Sequence, residues 1–182
     1  MRPKGAPVIT VVLLLLANGV LGAVDTLWYH EHRAALPRRP DRHRTELWLH
    51  AGRDAVYAVL YGTIGWVAWQ GGWAVVLAGL LAVEIVITVA DFVVEDRTRD
   101  LAAGERVLHS VMAIVYGAML TRLVPHVVDW VQAPTALSPA RNVPAALAWA
   151  ATALGAGIAV SGARDARAAA RSRRAVGRAR TA

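Results

Sequence analysis

Long runs of apolar residues constrain this chain more than any other feature of its sequence. Just over half of the 182 residues (56%) are hydrophobic, and the charged residues are concentrated in a few short blocks. A helix needs about 20 apolar residues to cross the hydrocarbon core of a bilayer. We therefore predict an all-α polytopic integral membrane protein with five transmembrane helices. Their expected positions are about 7–29, 45–69, 73–95, 101–122 and 143–161.

The distribution of the basic residues predicts the orientation of these helices. Fifteen of the twenty Lys and Arg residues lie in the loops after the first and third helices, at the start of the fourth helix or in the C-terminal tail. Positively charged loops stay in the cytoplasm, so the N-terminus is expected outside the cell (inner) membrane and the C-terminus inside. We expect 1–162 to be a single transmembrane domain and 163–182 a basic, disordered tail that contacts lipid headgroups. The net charge of +7 thus reflects orientation and does not indicate nucleic-acid binding.

Two short motifs repeat a carboxylate and an imidazole one helical turn apart. Glu46 and His50 lie near the start of the second predicted helix, and Glu105 and His109 near the start of the fourth. Residues four apart share one face of a helix, and these two helices are expected to run in the same direction. Both motifs should therefore lie at a similar depth near the cytoplasmic face. Ionisable groups in a membrane segment are costly and by default mark function.

The first and third predicted helices bring further acidic residues to the same level. Of the thirteen acidic residues, eleven lie between Asp25 and Glu105. The additional metal ligands that we expect are Asp25, Glu31, Asp91, Glu95 and Glu84. Glu84 lies about one and a half to two turns deeper than Asp91, so it is a ligand only if the site reaches well into the membrane. Otherwise Glu84 is a proton relay or a protonated packing residue, and Asp91 and Glu95 are equally explained as partners of Arg53 or Arg97.

This set of side chains resembles the ferritin-like di-iron carboxylate bundle. In that architecture two helices each supply a carboxylate and the other two each supply a Glu-x-x-His pair. The order along this chain is similar: a single acid, Glu46 with His50, a single acid, then Glu105 with His109. The resemblance implies an antiparallel four-helix metal-binding bundle that holds two divalent metal ions, iron above all. The chain departs from the pattern in its Glu-x-x-x-His spacing and in the short 70–72 turn, where ferritin-like folds have a long crossover.

The chemistry of the residues supports a metal site independently of that resemblance. Several carboxylates facing one another in a low dielectric repel, and their charged forms are disfavoured. A pair of divalent cations relieves this repulsion, and carboxylate and imidazole ligands suit Fe, Mn or Zn. The chain has no cysteine, which excludes thiolate ligands. The bland alternative for Glu46, His50, Glu105 and His109 is a hydrogen-bonded polar network near the interface. At least one of His30, Glu31 and His32 is expected to be solvated beside the charged loop. Arg97 and Arg99 belong to a solvated turn or bind a lipid phosphate.

The function expected from these features is that of a membrane-bound di-metal oxidoreductase. Such an enzyme, for example a hydroxylase or desaturase, would act on a lipid or another hydrophobic small molecule and would need a separate electron donor. Tyr57 and Tyr116 lie eleven residues beyond Glu46 and Glu105, which places them about 16 Å deeper in the bundle. We predict that these tyrosines are redox or proton partners in catalysis.

Three other functions use the same residues. A zinc-dependent membrane hydrolase would activate water for attack on a lipid amide or ester. A haem held between His50 and His109 would make the chain an electron-transfer protein. A bundle lined with acids and histidines could also transport protons or cations.

Overall fold

The protein consists of five helices joined by short connections and one two-stranded sheet. A computed structural model describes the backbone of residues 8–180 and the side chains of residues 8–172. The helices are α1 (Val8–Val24), α2 (Pro40–Thr63), α3 (Gly72–Thr98), α4 (Ala103–Val131) and α5 (Ala145–Arg180). The strands β1 (Val67–Gln70) and β2 (Ala136–Pro139) pair antiparallel. The predicted all-α class is confirmed, and the small sheet was not predicted.

Four helical segments are long and apolar enough to cross a membrane. They are Val8–Arg38, Gly72–Thr98, Ala103–Val131 and Ala145–Ser172. The helix α2 is not among them, because ionisable residues occupy much of its first half. The fifth span and the orientation of the helices therefore remain predictions from the sequence.

The helices form a ring in which each packs mainly against two others. The helix α1 contacts α4 and α5, α2 contacts α3 and α5, and α3 contacts α4. Leu15, Leu60, Leu77 and Leu123 are among the apolar residues buried inside this ring. Large apolar side chains such as Ile114 and Val86 face outward and are about 70% exposed. An extensive apolar exterior of this kind marks a surface that contacts membrane or another protein.

Two helices are longer than the sequence predicts. The helix α4 was expected to end near Arg122, but it continues through Pro125 to Val131. Proline is tolerated inside membrane helices because neighbouring groups satisfy the backbone carbonyl that it leaves free. The helix α5 was expected to end at 161, but it continues to Arg180 in place of a disordered tail.

The extension of α5 has a physical basis in its composition and packing. Its sequence is rich in alanine, the residue with the highest helix propensity. Ala169 is buried against Leu36 and Leu47, which anchors the first part of the extension to the body of the fold. The predicted contact of the terminal arginines with lipid (Arg173, Arg174, Arg178 and Arg180) involves side chains outside the described residues.

The chain between α1 and α2 contains two helical segments that are not α-helical. Residues Asp25–Arg33 form a π-helix that continues α1, and Leu36–Arg38 form a 3-10 turn. Ala35 lies between them with a positive φ of 54°. The second half of the first predicted helix is therefore wound differently from its first half. The π-helical winding determines which side chains of this segment point into the protein.

Candidate metal centre

Buried carboxylates and histidines gather where α1 and α3 end and where α2 and α4 begin. We call this group the acid–histidine cluster. Its members are Asp25, His30, Glu46, His50, Asp91, Glu95, Glu105 and His109. All of them except His109 are buried, and His109 is partly buried. Four of the five helical elements thus deliver polar side chains to one place.

One group of four side chains in the cluster could hold a metal ion. Asp25, His30, Glu105 and His109 offer ligand atoms that all lie within 4.8 Å of one another. The Nε2 atom of His30 lies 3.4 Å from Asp25 Oδ2 and 3.8 Å from Glu105 Oε1. The Nε2 atom of His109 lies 3.1 Å from the same Asp25 oxygen. Two imidazoles and two carboxylates of this kind match the ligands of common transition-metal sites.

A second group shares His30 with the first. His30, His50 and Glu95 also offer ligand atoms within 4.8 Å of one another. Glu95 Oε1 lies 3.7 Å from His30 Nε2 and 4.0 Å from His50 Nε2. The other carboxylate oxygen, Oε2, lies 3.6 Å from His109 Nδ1. Glu95 therefore reaches histidines of both groups.

Several polar atoms in the cluster have no hydrogen-bond partner among the described residues. They are Asp25 Oδ1, His30 Nε2, His50 Nε2, Asp91 Oδ1, Glu95 Oε2 and Glu105 Oε1. Two of them have a neighbour of opposite polarity at ion-pair distance: Glu105 Oε1 is 2.7 Å from Arg99, and His50 Nε2 is 3.2 Å from Asp91. A buried polar atom without a partner costs about 1–3 kcal/mol, and such atoms are rare in folded proteins. Here they occur together and belong to residue types that bind metals. Their chemistry fits a bound cation.

Two arginines neutralise part of the negative charge. Arg99 contacts Glu46, Glu95 and Glu105 at 2.7–3.0 Å, and Arg53 donates to Asp91 Oδ2 at 3.0 Å. Burial alone would lower the pKa of Arg99, but the neighbouring carboxylates, Glu46 foremost, outweigh it and raise the pKa. Five carboxylates (Asp25, Glu46, Asp91, Glu95 and Glu105) thus meet two guanidinium groups. When all five are ionised, an excess of three negative charges remains.

His30 is the central residue that sequence reasoning missed. At least one of His30, Glu31 and His32 was expected to be solvated, and no role was assigned to His30. The structure buries His30, which is only 4% exposed and stacks on His50 with a ring-centroid distance of 4.5 Å. In a regular α-helix, residues five apart point about 140° away from each other, so Asp25 and His30 should not meet. The π-helix changes this, because its hydrogen bonds join residues five apart. No pattern in the sequence predicts a π-helix at this position.

Arg99 and Asp165 were also missed, each for a local reason. Arg99 follows the last residue of α3 in extended conformation, which turns its side chain back into the cluster rather than into a solvated loop. Asp165 lies in the part of α5 that was predicted to be disordered. Its Oδ2 lies 3.5 Å from His50 Nδ1, on the side of the ring opposite the unbonded Nε2.

Three predicted ligands lie away from the two groups of ligand atoms. Glu31 is partly buried and lines the cavity, where its carboxylate accepts a hydrogen bond from Arg164 at 2.6 Å. Glu46 is buried at the edge of the cluster between Arg99 and His43, each at 3.0 Å. Glu84 lies deeper, where it accepts hydrogen bonds from Tyr57 and Thr88.

The other predicted ligands do meet in the cluster. His50, Glu95, Glu105, His109 and Asp25 belong to the two groups described above. Asp91 lies beside them, with Oδ2 3.2 Å from His50 Nε2.

The cluster opens into a cavity of about 580 Å³ inside the helix ring. Asp25 and His109 line one end of this cavity, and Tyr57, Glu84 and Tyr116 line it deeper in the bundle. Apolar and small residues from α1, α3, α4 and α5 form most of the remaining wall. Volumes of about 300–1,000 Å³ are typical of small-molecule sites. The predicted tyrosines therefore face the same space as the cluster.

Comparison of this chain with protein-family models, with curated proteins and with solved structures finds no match. The geometry of the cluster and its cavity must therefore carry any functional assignment.

Proposed function

We propose that this chain is an integral membrane metalloprotein that holds two metal ions in the acid–histidine cluster. The observation that carries the proposal is the position of His30, which belongs to both groups of potential ligands while Glu95 spans them. One ion would be held by Asp25, Glu105 and His109, and the other by His50 and Glu95. His30 supplies an unbonded nitrogen at the junction.

A metal explains the cluster better than protonated histidines do. Three imidazolium groups would also offset the excess negative charge. However, His30 and His50 stack at 4.5 Å, and two like charges at that distance repel strongly inside a protein. Their Nε2 atoms are both buried and face carboxylate oxygens, at 3.2 Å for His50 and 3.4 Å for His30, without a hydrogen bond of good geometry among the described residues. Cations placed between the rings and the carboxylates would satisfy these atoms and neutralise the acids together.

Asp165 supports the assignment of His50 as a ligand. Histidines that bind metals usually donate their second ring N–H to a carboxylate, which fixes the tautomer and orients the ring. Asp165 stands 3.5 Å from His50 Nδ1 and leaves Nε2 for the ion.

The reaction class that fits best is oxidation of a hydrophobic substrate with iron as the metal. Paired iron ions held by carboxylates and histidines supply dioxygen activation. A hydroxylase of this class converts a C–H bond, O₂, two electrons and two protons into C–OH and water, with the electrons from a separate donor. The cavity brings an apolar substrate to Asp25 and His109. Leu27 and Val160 line the cavity and are also more than 60% exposed, so substrate can arrive laterally from the bilayer.

Zinc hydrolysis is the second candidate. The group of Asp25, His30, Glu105 and His109 offers two nitrogens and two oxygens, which is a common zinc environment. A haem between His50 and His109 is disfavoured because the His30 ring occupies that space, stacked on one ring and edge-on to the other at 6.4 Å.

Metal analysis tests the proposal directly. The protein would be purified in lipid nanodiscs without added metal, and its metal content would be measured by mass spectrometry. We expect close to two equivalents of iron, and less than one in the His50→Ala/His109→Ala double variant. Two equivalents of zinc without redox-dependent absorption would favour the hydrolase. A wild-type protein that contains no transition metal, and binds none when it is supplied, would refute both.

A further inference from the structure

The deeper end of the cavity contains a second polar group that the metal site does not use. Glu84 is only 1% exposed. Its Oε1 accepts hydrogen bonds from Tyr57 and from Thr88, both at 2.7 Å. Its Oε2 is buried and has no partner among the described residues. Since Glu84 lines the cavity, this oxygen is available to a molecule bound there.

The hydroxyl oxygen of Tyr116 is a second buried atom without a hydrogen bond of good geometry among the described residues. Its ring makes an edge contact with Tyr57 at a centroid distance of 6.1 Å. Its hydroxyl lies within electrostatic reach of Glu84 but makes no hydrogen bond of good geometry in the described part of the chain. Unpaired buried polar atoms of this kind are costly. Glu84 and Tyr116 lie close to each other and line one cavity, so a single polar group bound there could form hydrogen bonds with both.

The donor and acceptor properties of these atoms identify that group. A phosphate or carboxylate would be repelled by Glu84, because the two arginines that line the cavity, Arg53 and Arg164, are already paired with Asp91 and Glu31. A ketone cannot donate to the carboxylate oxygen. An ammonium can donate to both atoms, but the cost of moving its charge from water into a mostly apolar cavity exceeds the gain from one carboxylate. A hydroxyl both donates and accepts, so it can satisfy Glu84 Oε2 and Tyr116 together. Most of the remaining wall is apolar and suits a hydrocarbon.

We propose that the cavity binds a hydrocarbon that carries one hydroxyl group, with that hydroxyl held between Glu84 and Tyr116. The assignment of this alcohol as the substrate rests on the proposed function. Binding of the alcohol in the cavity does not require a metal ion. His109 and Tyr116 are seven residues apart on α4, which corresponds to about 10 Å along the helix. The chain of the bound alcohol therefore runs from Glu84 toward Asp25 and His109. The carbon presented to the metal site lies about 10 Å from the hydroxyl.

Photolabelling in the metal-free protein tests this binding site separately from the metal. The full chain in nanodiscs, stripped with a chelator, would be labelled with a twelve-carbon alcohol that carries a diazirine near its middle. Labelled residues would be mapped by mass spectrometry, with 1-dodecanol, dodecanoic acid, dodecylamine and dodecane as competitors of equal chain length. We expect labels on cavity residues such as Met112 and Leu120, and competition by 1-dodecanol alone at low concentration.

Conservative variants give the matched comparison. Tyr116→Phe removes one hydroxyl from the cavity, and Tyr29→Phe makes the same change outside it. We expect Tyr116→Phe to raise the 1-dodecanol concentration needed for half-competition by about three- to tenfold, as the loss of one hydrogen bond implies, and Tyr29→Phe to leave it unchanged. Glu84→Leu should abolish the preference for the alcohol over dodecane. If Glu84→Leu does not fold, the comparison of Tyr116→Phe with Tyr29→Phe still tests the hydroxyl site.

The results separate this inference from the proposed function. Equal competition by dodecane, stronger competition by the acid or the amine, or equal behaviour of the two tyrosine variants would overturn the hydroxyl site. A protein that binds metal but shows no preference for the alcohol would refute only this inference. A protein that prefers the alcohol and never binds metal would refute only the proposed function.

Discussion

Replacement of His30 by alanine is the sharpest test of the metal centre. Both groups of potential ligands include this residue, and its Nε2 lies 3.4–3.8 Å from one oxygen each of Asp25, Glu95 and Glu105. A four-ligand zinc site gains about 10–16 kcal/mol on binding, so one ligand contributes about 3 kcal/mol. That loss lowers the affinity for metal by about a hundredfold. The second group would keep only His50 and Glu95 and should lose its ion first.

The matched control for this variant is His32→Ala. His32 lies two residues away on the same π-helix, is exposed, and stacks on Trp28 at 5.0 Å. Metal content after dialysis and competition with a coloured chelator would be measured for both variants. We expect His30→Ala to hold one metal ion or fewer and His32→Ala to match the wild type. Wild-type metal content in His30→Ala, or an equal loss in His32→Ala, would show that the central position of His30 has no bearing on metal binding.

Three further predictions concern the surroundings of the site. Asp165→Asn should weaken metal binding about 10- to 100-fold, because His50 loses the carboxylate that orients it; chelator competition measures this, and an unchanged affinity would remove Asp165 from the centre. Arg99→Ala should destabilise the metal-free protein by about 3–5 kcal/mol, since it leaves buried carboxylates unpaired. Thermal unfolding in chelator measures that loss, and added metal should reduce it; an equal loss with and without metal would contradict the assignment. Gly71→Ala should lower thermal stability without changing metal content, because Gly71 has a φ of 58° and a Cβ there would lie 2.5 Å from Thr135.

The sequence predicts the helical class and most of the site because both depend on regular periodicity. Apolar runs of membrane length located four of the five helices, and the spacing of four residues placed His50 and His109 at the same level. The residues that were missed depend on departures from that periodicity. His30 requires a π-helix, and Arg99 requires a chain that turns back after α3.

Helix ends were predicted less well because packing decides them. Pro125 normally ends a helix, but in α4 it lies inside one. The helix α5 continues past 161 because Ala169 packs on Leu36 and Leu47, which are distant in sequence. Such contacts cannot be inferred from local composition, and Asp165 was overlooked for the same reason.

Because residues 25–33 form a π-helix, the position of His30 depends on the number of residues in this segment. Removal of a single residue between 26 and 29 would allow the helix to return to ordinary α winding and turn everything that follows by about 100° relative to Asp25. A point substitution in this segment changes the contacts of one side chain. The deletion would instead move the His30 side chain out of the interior without changing the side chain itself. The number of residues in this segment is therefore as much a part of the centre as the side chains that form it.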